Sequence, residues 1–327
     1  MFSKILKWVG IVVGGLILIF AGFITYVNLA LPNIEAEDIT VDVTPERIVR
    51  GEYLSHHVMA CFDCHSKRQT DVYSFPTDDD YLGGGAVAFD KKLGINVGSF
   101  YPANLTPFNL VDWTDGEIYR AIVNGVGKKG NALFPVMPYM NYSKLAKEDI
   151  YSVIAYLRTL EPVEADSPES EVTSFPFQTV MKLFFPQEAQ HQDIPSKNDV
   201  LKYGEYIVTA ASCSDCHTPM SGGKPVADSA FAGGFELTTI TGKKIQASNI
   251  TPDKETGIGN WSKEYFLSRF AEYRDSTMQN RKLTDSDLHT EMPWIQYSGM
   301  TDEDINAIYT YLMSLKAIEK KINKVNY

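Results

Sequence analysis

The sequence predicts an all-α fold in which two tandem copies of one helical domain follow a single N-terminal transmembrane helix. Three observations predict it: an uncharged run near the N-terminus, a pentapeptide that occurs twice, and further matches that follow each copy in the same order. The length agrees, because 327 residues suffice for two domains and an additional segment.

The N-terminal segment, residues 1–34, is predicted to be a membrane anchor. Residues 8–31 carry no charged side chain, and this run exceeds the roughly 20 residues that a helix needs to cross a bilayer. The alternative is a cleaved signal peptide, whose apolar region is usually roughly 7–15 residues and ends at a small-residue cleavage site. Residues 26–33 offer no clean site of that kind, so we expect the helix to be retained.

Charges on either side of this run predict its orientation. Lys4 and Lys7 precede it, and three acidic residues follow between positions 35 and 38. Positive charges tend to stay on the cytoplasmic side. The sequence therefore predicts a single-pass protein of the cytoplasmic (inner) membrane, with its globular part on the periplasmic or outer side.

The repeated pentapeptide reads CFDCH at residues 61–65 and CSDCH at residues 213–217, and the two copies contain every cysteine of the chain. C-x-x-C-H is the attachment signature of c-type haem. Two thiols three residues apart lie on one face of a helical turn, where both can add to the haem vinyl groups, and the following histidine points at the iron. The sequence thus predicts two covalently bound haem c groups. The attachment residues would be Cys61, Cys64, Cys213 and Cys216, and the proximal iron ligands His65 and His217.

Three other uses of paired cysteines fit less well. A zinc site would draw both pairs from one small module, whereas these pairs lie far apart, and zinc does not account for a histidine directly after each. A thioredoxin-like redox pair would need a βαβ pattern, which the sequence lacks. A disulfide scaffold is typical of short secreted chains rather than of one with a full apolar complement.

Beyond the pentapeptide, the two halves match at a series of positions. Asn-x-Thr-Pro occurs at residues 104–107 and 249–252, and Met-Pro occurs at 137–138 and 292–293, after which the register holds without gaps. Two copies of one domain explain such matches better than a single fold does. The predicted bounds are 42–162 for domain 1, 163–196 for an interdomain linker and 197–321 for domain 2.

Local signals predict helices in domain 1. Pro45 after Thr44 is typical of a helix start. Thr114 and Glu117 form a capping-box pattern, and apolar residues at helical spacing predict a closing helix over residues 146–160.

The linker is rich in Pro, Ser and Glu. Its apolar piece, residues 175–186, is too short to span a membrane. We expect this piece to pack between the domains; contact with the membrane or with a partner subunit is the alternative.

A haem iron bound by one histidine has a second face to assign. Methionine there favours electron transfer and raises the potential, whereas an open site favours ligand binding or catalysis. A lone methionine is usually core filler. The same Met-Pro in the same place in both halves instead predicts Met137 and Met292 as iron ligands.

Other methionines and histidines compete for this role, but none aligns with a residue of its own type in the other half. We expect the competing histidines to be solvated or hydrogen-bonded. The competitors are Met140, Met300, His56, His57 and His289; His191, in the linker, carries no signal.

The formal net charge is −11. This disfavours nucleic-acid binding, which needs a basic face. An acidic surface would suit a basic docking partner, and keeping the protein soluble is an equally good explanation.

Both halves resemble class I cytochrome c domains: C-x-x-C-H near the start, Met-Pro late, and a closing helix with aromatic residues. The second half is similar to the cytochrome c subunits of membrane-bound bacterial alcohol and gluconate dehydrogenases, through residues 249–253, 256–259 and 261–262. The aromatic-proline segment around 175–186 resembles that family's interdomain segment. The resemblance covers about residues 45–315.

The resemblance implies one haem crevice per domain. Trp113, Trp261, Asn104 and Asn249 would then lie near the haem propionates. Two departures stand out: the family usually has three haem domains, and the first domain here lacks the Thr-Gly-Ile-Gly run.

The function expected from these features is electron transfer between a donor, either a dehydrogenase or a quinol-oxidising complex, and a downstream acceptor. Two irons with both faces occupied change only their oxidation state, so we expect an electron carrier rather than an enzyme. The alternative is a dihaem peroxidase, which would need one open iron. A haem-based gas sensor would need a signalling domain that the sequence does not supply.

Overall fold

Helices dominate the structure, a computed structural model that describes residues 2–174 and 176–323. In chain order the α-helices are α1 (Phe2–Ala30), α2 (Pro45–Tyr53), α3 (Cys61–His65), α4 (Pro107–Leu110), α5 (Asp115–Asn124), α6 (Tyr139–Tyr142), α7 (Lys147–Leu157), α8 (Phe177–Phe184), α9 (Val200–Ala210), α10 (Cys213–His217), α11 (Lys263–Ala271), α12 (Ser276–Gln279), α13 (Trp294–Ser298) and α14 (Asp302–Ser314). One π-helical turn, Leu54–Val58, extends α2, and 3₁₀ turns lie at Asp79–Tyr81, Lys91–Leu93, Ala227–Ser229 and Glu272–Arg274.

Three antiparallel strand pairs depart from the all-α prediction. They join β1 (Gly98–Ser99) to β2 (Glu171–Val172), β3 (Met220–Ser221) to β4 (Lys224–Pro225), and β5 (Glu236–Thr238) to β6 (Lys244–Gln246). The β3–β4 hairpin turns at Gly222 and Gly223, whose φ angles of +58° and +76° suit a tight hairpin. Strands this short carry too little period-2 pattern to be predicted from the sequence.

The N-terminal helix α1 meets the length and composition of a membrane span. Its side chains are largely exposed, and Val27 near its end is buried. A core helix of a soluble protein would be mostly buried, so this exposure is compatible with the predicted anchor.

The predicted helix signals of the first half are confirmed. Thr44 caps α2, since its Oγ1 accepts a hydrogen bond from the Arg47 N–H at 3.3 Å. The capping box is complete, because the Glu117 N–H donates to Thr114 Oγ1 at 3.1 Å and the Thr114 N–H donates to Glu117 Oε2 at 2.9 Å.

Each half packs its first helix closely on its closing helix, α2 on α7 and α9 on α14. Glycine permits the approach: a Cβ at Gly51 would lie 1.9 Å from the Ser152 carbonyl oxygen, and one at Gly204 would lie 2.1 Å from that of Ala307. A larger residue would push the helices apart. One hydrophobic cluster then joins the helices of both halves.

The segment after α7 lies along the first half. β2 pairs with β1, Ser167 Oγ accepts from the Asn104 N–H at 2.8 Å, and the Gln187 N–H donates to the Asn124 carbonyl at 3.2 Å. The expectation that the apolar piece packs between the domains stays a prediction; the contacts observed for it are those of α8 with α1 and of Phe177 with Phe134 of the first half. Phe175 lies outside the described residues.

Candidate haem-attachment sites

Each C-x-x-C-H motif forms a single helical turn that begins after a left-handed residue. The preceding residues, Ala60 and Ser212, have φ angles of 48° and 52°. This conformation costs a non-glycine residue roughly 1–2 kcal/mol, and it turns the chain sharply from the preceding helix into the motif. Its presence at both motifs means that the turn is a shared feature of the two halves.

The four cysteines are free thiols in the structure. Burial raises the pKa of Cys61 and Cys213 to about 12, which keeps these thiols neutral, whereas a redox-active pair is characterised by a lowered pKa. Among residues 2–174 and 176–323, no group of three or more His, Cys, Asp or Glu side chains could hold a metal ion.

The histidine of each motif is oriented by a backbone carbonyl. His65 Nδ1 lies 2.8 Å from the oxygen of Ala103, and His217 Nδ1 lies 2.7 Å from that of Ser248. A carbonyl can only accept, so Nδ1 carries the proton and Nε2 keeps the lone pair that binds a metal. Burial lowers the pKa of both rings, which favours the neutral form that coordination requires.

The Asn-x-Thr-Pro loops hold those carbonyls in place. Asn104 directly follows Ala103, and Asn249 directly follows Ser248. Both asparagines are buried. The side-chain oxygen of each accepts from the backbone N–H and the hydroxyl of the threonine two residues later, at 2.7–2.9 Å. The amide of Asn104 donates to the Val163 and Ala165 carbonyls.

Asn249 makes the equivalent contacts, to Thr256 and to the Ile318 carbonyl. The hydrogen bonds of the two asparagines therefore fix the loop beside the carbonyl that accepts from each histidine. The resemblance had implied only that they lie near the haem propionates.

The two tryptophans close equivalent turns. The Trp113 N–H donates to the Leu110 carbonyl at 3.0 Å, and the Trp261 N–H donates to that of Ile258 at 2.9 Å. Their own carbonyls accept from the closing helices or their ends, from Arg158 at 2.6 Å and from Tyr309 at 2.8 Å.

The Met-Pro segments adopt the same turn in both halves. The N–H two residues after Met137 donates to its carbonyl at 2.9 Å, and the same bond follows Met292 at 2.8 Å. Both methionine side chains are half-buried and pack against the hydrophobic cluster.

A tyrosine five residues after each methionine ties this turn to the attachment motif. Tyr142 Oη donates to the Met59 carbonyl at 3.1 Å, and Tyr297 Oη donates to the Ala211 carbonyl at 2.7 Å. Both acceptors lie two residues before the first cysteine of a motif. Sequence reasoning missed this role, although the alignment of the two tyrosines in the repeat was the available signal.

The competing residues make contacts of other kinds. Met140 is 40% exposed and Met300 is 2% exposed, so the first faces solvent and the second is part of the core. The competing histidines all form hydrogen bonds: His56 with Tyr156 Oη, His57 with the Gln296 carbonyl, His289 with Thr241 Oγ1, and His191 with Tyr119 Oη and the Leu145 carbonyl.

The attachment motif of each half touches the methionine segment of the other. Asn141 Nδ2 lies 3.0 Å from both carboxylate oxygens of Asp215 in the second motif. On the other side, Arg68 links Asp63 of the first motif, at 3.6 Å, to Glu291, at 2.9 Å. Glu291 directly precedes Met292, so the two candidate sites adjoin each other. No sequence signal had marked Arg68.

Comparison with known proteins agrees with this geometry. Residues 201–316 match the family model described as Cytochrome c. The chain contains a cytochrome c domain. This match covers the second attachment motif and Met292, and a cytochrome c domain implies covalently bound haem c. Haem binding and electron transport are accordingly the properties that this match supports.

Three characterised relatives are similar over most of the chain. The gluconate 2-dehydrogenase cytochrome c subunit of Pantoea cypripedii is 28% identical over 83% of this chain and 60% of its own length. The fructose dehydrogenase cytochrome subunit of Gluconobacter japonicus is 28% identical over 90% and 58%. A diheme cytochrome c-type protein of Cereibacter sphaeroides is 28% identical over 73% and 77%. The chain thus spans about three fifths of the length of the two dehydrogenase subunits.

The residues present fit covalently bound haem. Each motif offers two free thiols on one turn and a neutral histidine whose Nδ1 is already engaged. In each half a tyrosine also ties the segment that follows the Met-Pro turn to the backbone just before the motif.

Proposed function

We propose that this chain is a membrane-anchored dihaem c-type cytochrome that passes electrons from a membrane or periplasmic donor to a downstream acceptor. The observation that carries the proposal is the duplicated histidine contact: His65 and His217 each donate from Nδ1 to a carbonyl that a buried asparagine loop holds in place. Such a contact fixes the tautomer and the ring orientation that iron binding needs.

The chain's own residues would do four things at each site. The cysteines would hold the haem covalently, and the histidine together with Met137 or Met292 would ligate its iron. The tyrosine ties the methionine turn to the motif, and the hydrophobic cluster would limit access of water. When bound, the haem supplies a one-electron couple between ferrous and ferric iron, whose potential depends on ligands, burial and nearby charge.

An electron carrier fits this arrangement better than an enzyme. The dihaem peroxidase alternative needs one iron with an open face, whereas both halves present the same Met-Pro turn against the core. Relatives that are cytochrome subunits of dehydrogenases support a dehydrogenase as the donor, and a diheme relative supports the count of two.

The proposed arrangement comprises domains at 42–162 and 197–321 behind an anchor at 1–34. The domains would lie on the periplasmic or outer side of the cytoplasmic membrane. Haem c attachment outside that membrane and the lysines before α1 both support this orientation.

Haem stoichiometry tests the proposal directly. The purified full-length protein should contain two covalent haems per chain, measured by haem absorbance against protein concentration and by the mass of the denatured chain. Cys61→Ala with Cys64→Ala should remove one haem, and Cys213→Ala with Cys216→Ala should remove the other. A haem count that either double variant leaves unchanged would overturn the assignment at that motif.

The electron-carrier role needs a separate measurement. Both haems of the protein should be low-spin as isolated, should reduce and reoxidise reversibly, and should not consume hydrogen peroxide at an enzymatic rate. A high-spin haem with peroxide turnover would favour the peroxidase instead.

A further inference from the structure

Helix α8 lies alongside the end of α1. Lys182 Nζ donates a hydrogen bond to the Asn28 carbonyl at 2.6 Å. The last carbonyls of a helix lack partners within the helix, and a cation stabilises that end of the helix dipole. Val27 on α1 is fully buried, and Met181 on α8 is only 3% exposed. The two helices therefore form a packed junction rather than a loose contact.

This junction fixes the position of α8 relative to the bilayer that α1 would span. The uncharged run of the sequence ends at residue 31, and Asn28 lies within one turn of that end. If α1 spans the bilayer as proposed, its end lies where the hydrocarbon meets the lipid headgroups. Because α8 packs against that end, it lies at the same level.

The outer surface of α8 has the chemistry of an interfacial helix. Phe184 is 73% exposed, although a phenylalanine gains free energy when it leaves water. Phe177, Leu183 and Phe185 beside it are half-buried. Helices that lie in the membrane interface bury such an apolar face at the boundary between headgroups and acyl chains.

α8 also connects to the first candidate haem site. The Phe177 ring lies 6.2 Å from the Phe134 ring, and the Phe134 carbonyl accepts from the Met137 N–H at 3.3 Å. A helix held in the interface would therefore position the Met137 side of the first half close to the membrane.

We propose that α8 is a second membrane-contacting element, whose Phe184 face inserts among bilayer phospholipids at the end of α1. This inference rests on the proposed anchoring by α1. Phospholipid is the occupant that continuity with α1 favours, since the face begins where the membrane span ends.

Photo-cross-linking of the full-length holoprotein tests the proposal. A benzophenone amino acid would replace Phe184, and in separate variants Leu18 of α1 and Tyr265 of α11. All three side chains are at least half exposed, at 73%, 74% and 50%. The variants would be placed in nanodiscs of phosphatidylethanolamine and phosphatidylglycerol and irradiated, and adducts identified by mass spectrometry. Phospholipid adducts are expected at positions 184 and 18 and not at 265.

The controls distinguish failure of the α8 proposal from failure of the α1 anchor on which it rests. Lipid adducts at position 18 without any at 184 would overturn the proposed role of α8 and leave the α1 anchor intact. Adducts at 184 to protein alone, with lipid adducts at 18, would have the same consequence. The absence of lipid adducts at position 18 would overturn the anchor, and the role of α8 with it. Haem spectra of each variant would verify that the globular part has folded.

Discussion

Tyr53 of the first half and Asp304 of the second form a hydrogen bond of 2.5 Å between Oη and Oδ2. The second half returns the same contact, since Tyr206 Oη lies 2.6 Å from Oδ2 of Asp149. Tyr53 aligns with Tyr206 in the repeat, and Asp149 aligns with Asp304. The two halves therefore associate as an isologous dimer would, within one chain.

We call these two tyrosine–aspartate hydrogen bonds, Tyr53–Asp304 and Tyr206–Asp149, the clamp. Backbone N–H groups add a further hydrogen bond to each of its tyrosines. The Thr301 N–H donates to Tyr53 Oη and the Ala146 N–H donates to Tyr206 Oη, both at 3.1 Å. Asp149 also accepts two bonds from Arg50, at 2.9 and 2.8 Å, and Asp304 accepts one from Tyr203 at 2.8 Å. Both carboxylates are 1% exposed, so these partners offset the cost of their burial.

Removing one clamp hydroxyl should destabilise the folded protein. Tyr53→Phe deletes a donor to the buried Asp304 carboxylate, and hydrogen bonds to charged groups contribute about 1.5–3 kcal/mol. We expect a loss of that size in the free energy of unfolding, measured on the holoprotein by denaturant titration. Tyr265→Phe, at an exposed site, is the matched control and should change little. Equal stability of the two variants would contradict a stabilising role for the clamp.

Loss of either proposed methionine ligand should open one iron. Met137→Ala and Met292→Ala each remove a thioether that favours ferrous iron. In each variant one haem should become high-spin or bind added cyanide, and its potential should fall, while the other haem changes little. Optical spectra and potentiometric titration measure both effects.

The structure selects the controls for that experiment. Met140→Ala is suitable because Met140 is exposed. Met300 is part of the core, where Met→Ala would cost about 2–5 kcal/mol, so Met300→Leu is the better choice. If Met140→Ala rather than Met137→Ala opened the first iron, the repeat alignment would have assigned the wrong methionine.

Arg68 should influence the redox potential. It places a cation between the first attachment motif and the residue before Met292, and a nearby cation disfavours the more positive ferric state. Arg68→Gln should lower at least one potential by tens of millivolts, since ~1 kcal/mol corresponds to roughly 40 mV for one electron. Arg68→Lys retains the charge and should restore most of the potential.

The control for Arg68 is Arg47→Gln. Arg47 pairs with Glu148 on the outer face of α2, at 2.7 Å, and its loss should leave both potentials unchanged. Equal potentials in wild type and Arg68→Gln would show that the cation has no electrostatic effect on either haem.

His56 should make stability depend on pH. Burial lowers its pKa to about 4, against ~6.5 in an unfolded chain. Between these values the unfolded state binds more protons, so stability present above pH ~6.5 is lost as the pH falls toward 4, by at most ~1.4 kcal/mol per pH unit. His56→Gln should therefore show a smaller difference in unfolding free energy between pH 7 and pH 4.5 than wild type. An identical difference in both proteins would exclude His56 as a source.

Much of the local structure could be predicted because the signals lie within a few residues of each other. Side chains a few residues apart determine the helix cap at Thr44 and the capping box of Thr114 and Glu117. A continuous run of uncharged residues determines the length of α1. The C-x-x-C-H motifs and Met-Pro segments are of the same kind, and their repetition distinguishes them from chance.

The sequence by itself determined the two attachment motifs, the paired methionines as candidate ligands and the apolar N-terminal helix, since each is written in a short stretch of chain. Only the tertiary structure decided that Ala103 and Ser248 orient the histidines, that Arg68 joins the two sites, and that α8 lies against α1. These contacts join residues far apart in the chain. They depend on how burial of the whole hydrophobic cluster brings the two halves together, and no local spacing encodes that arrangement.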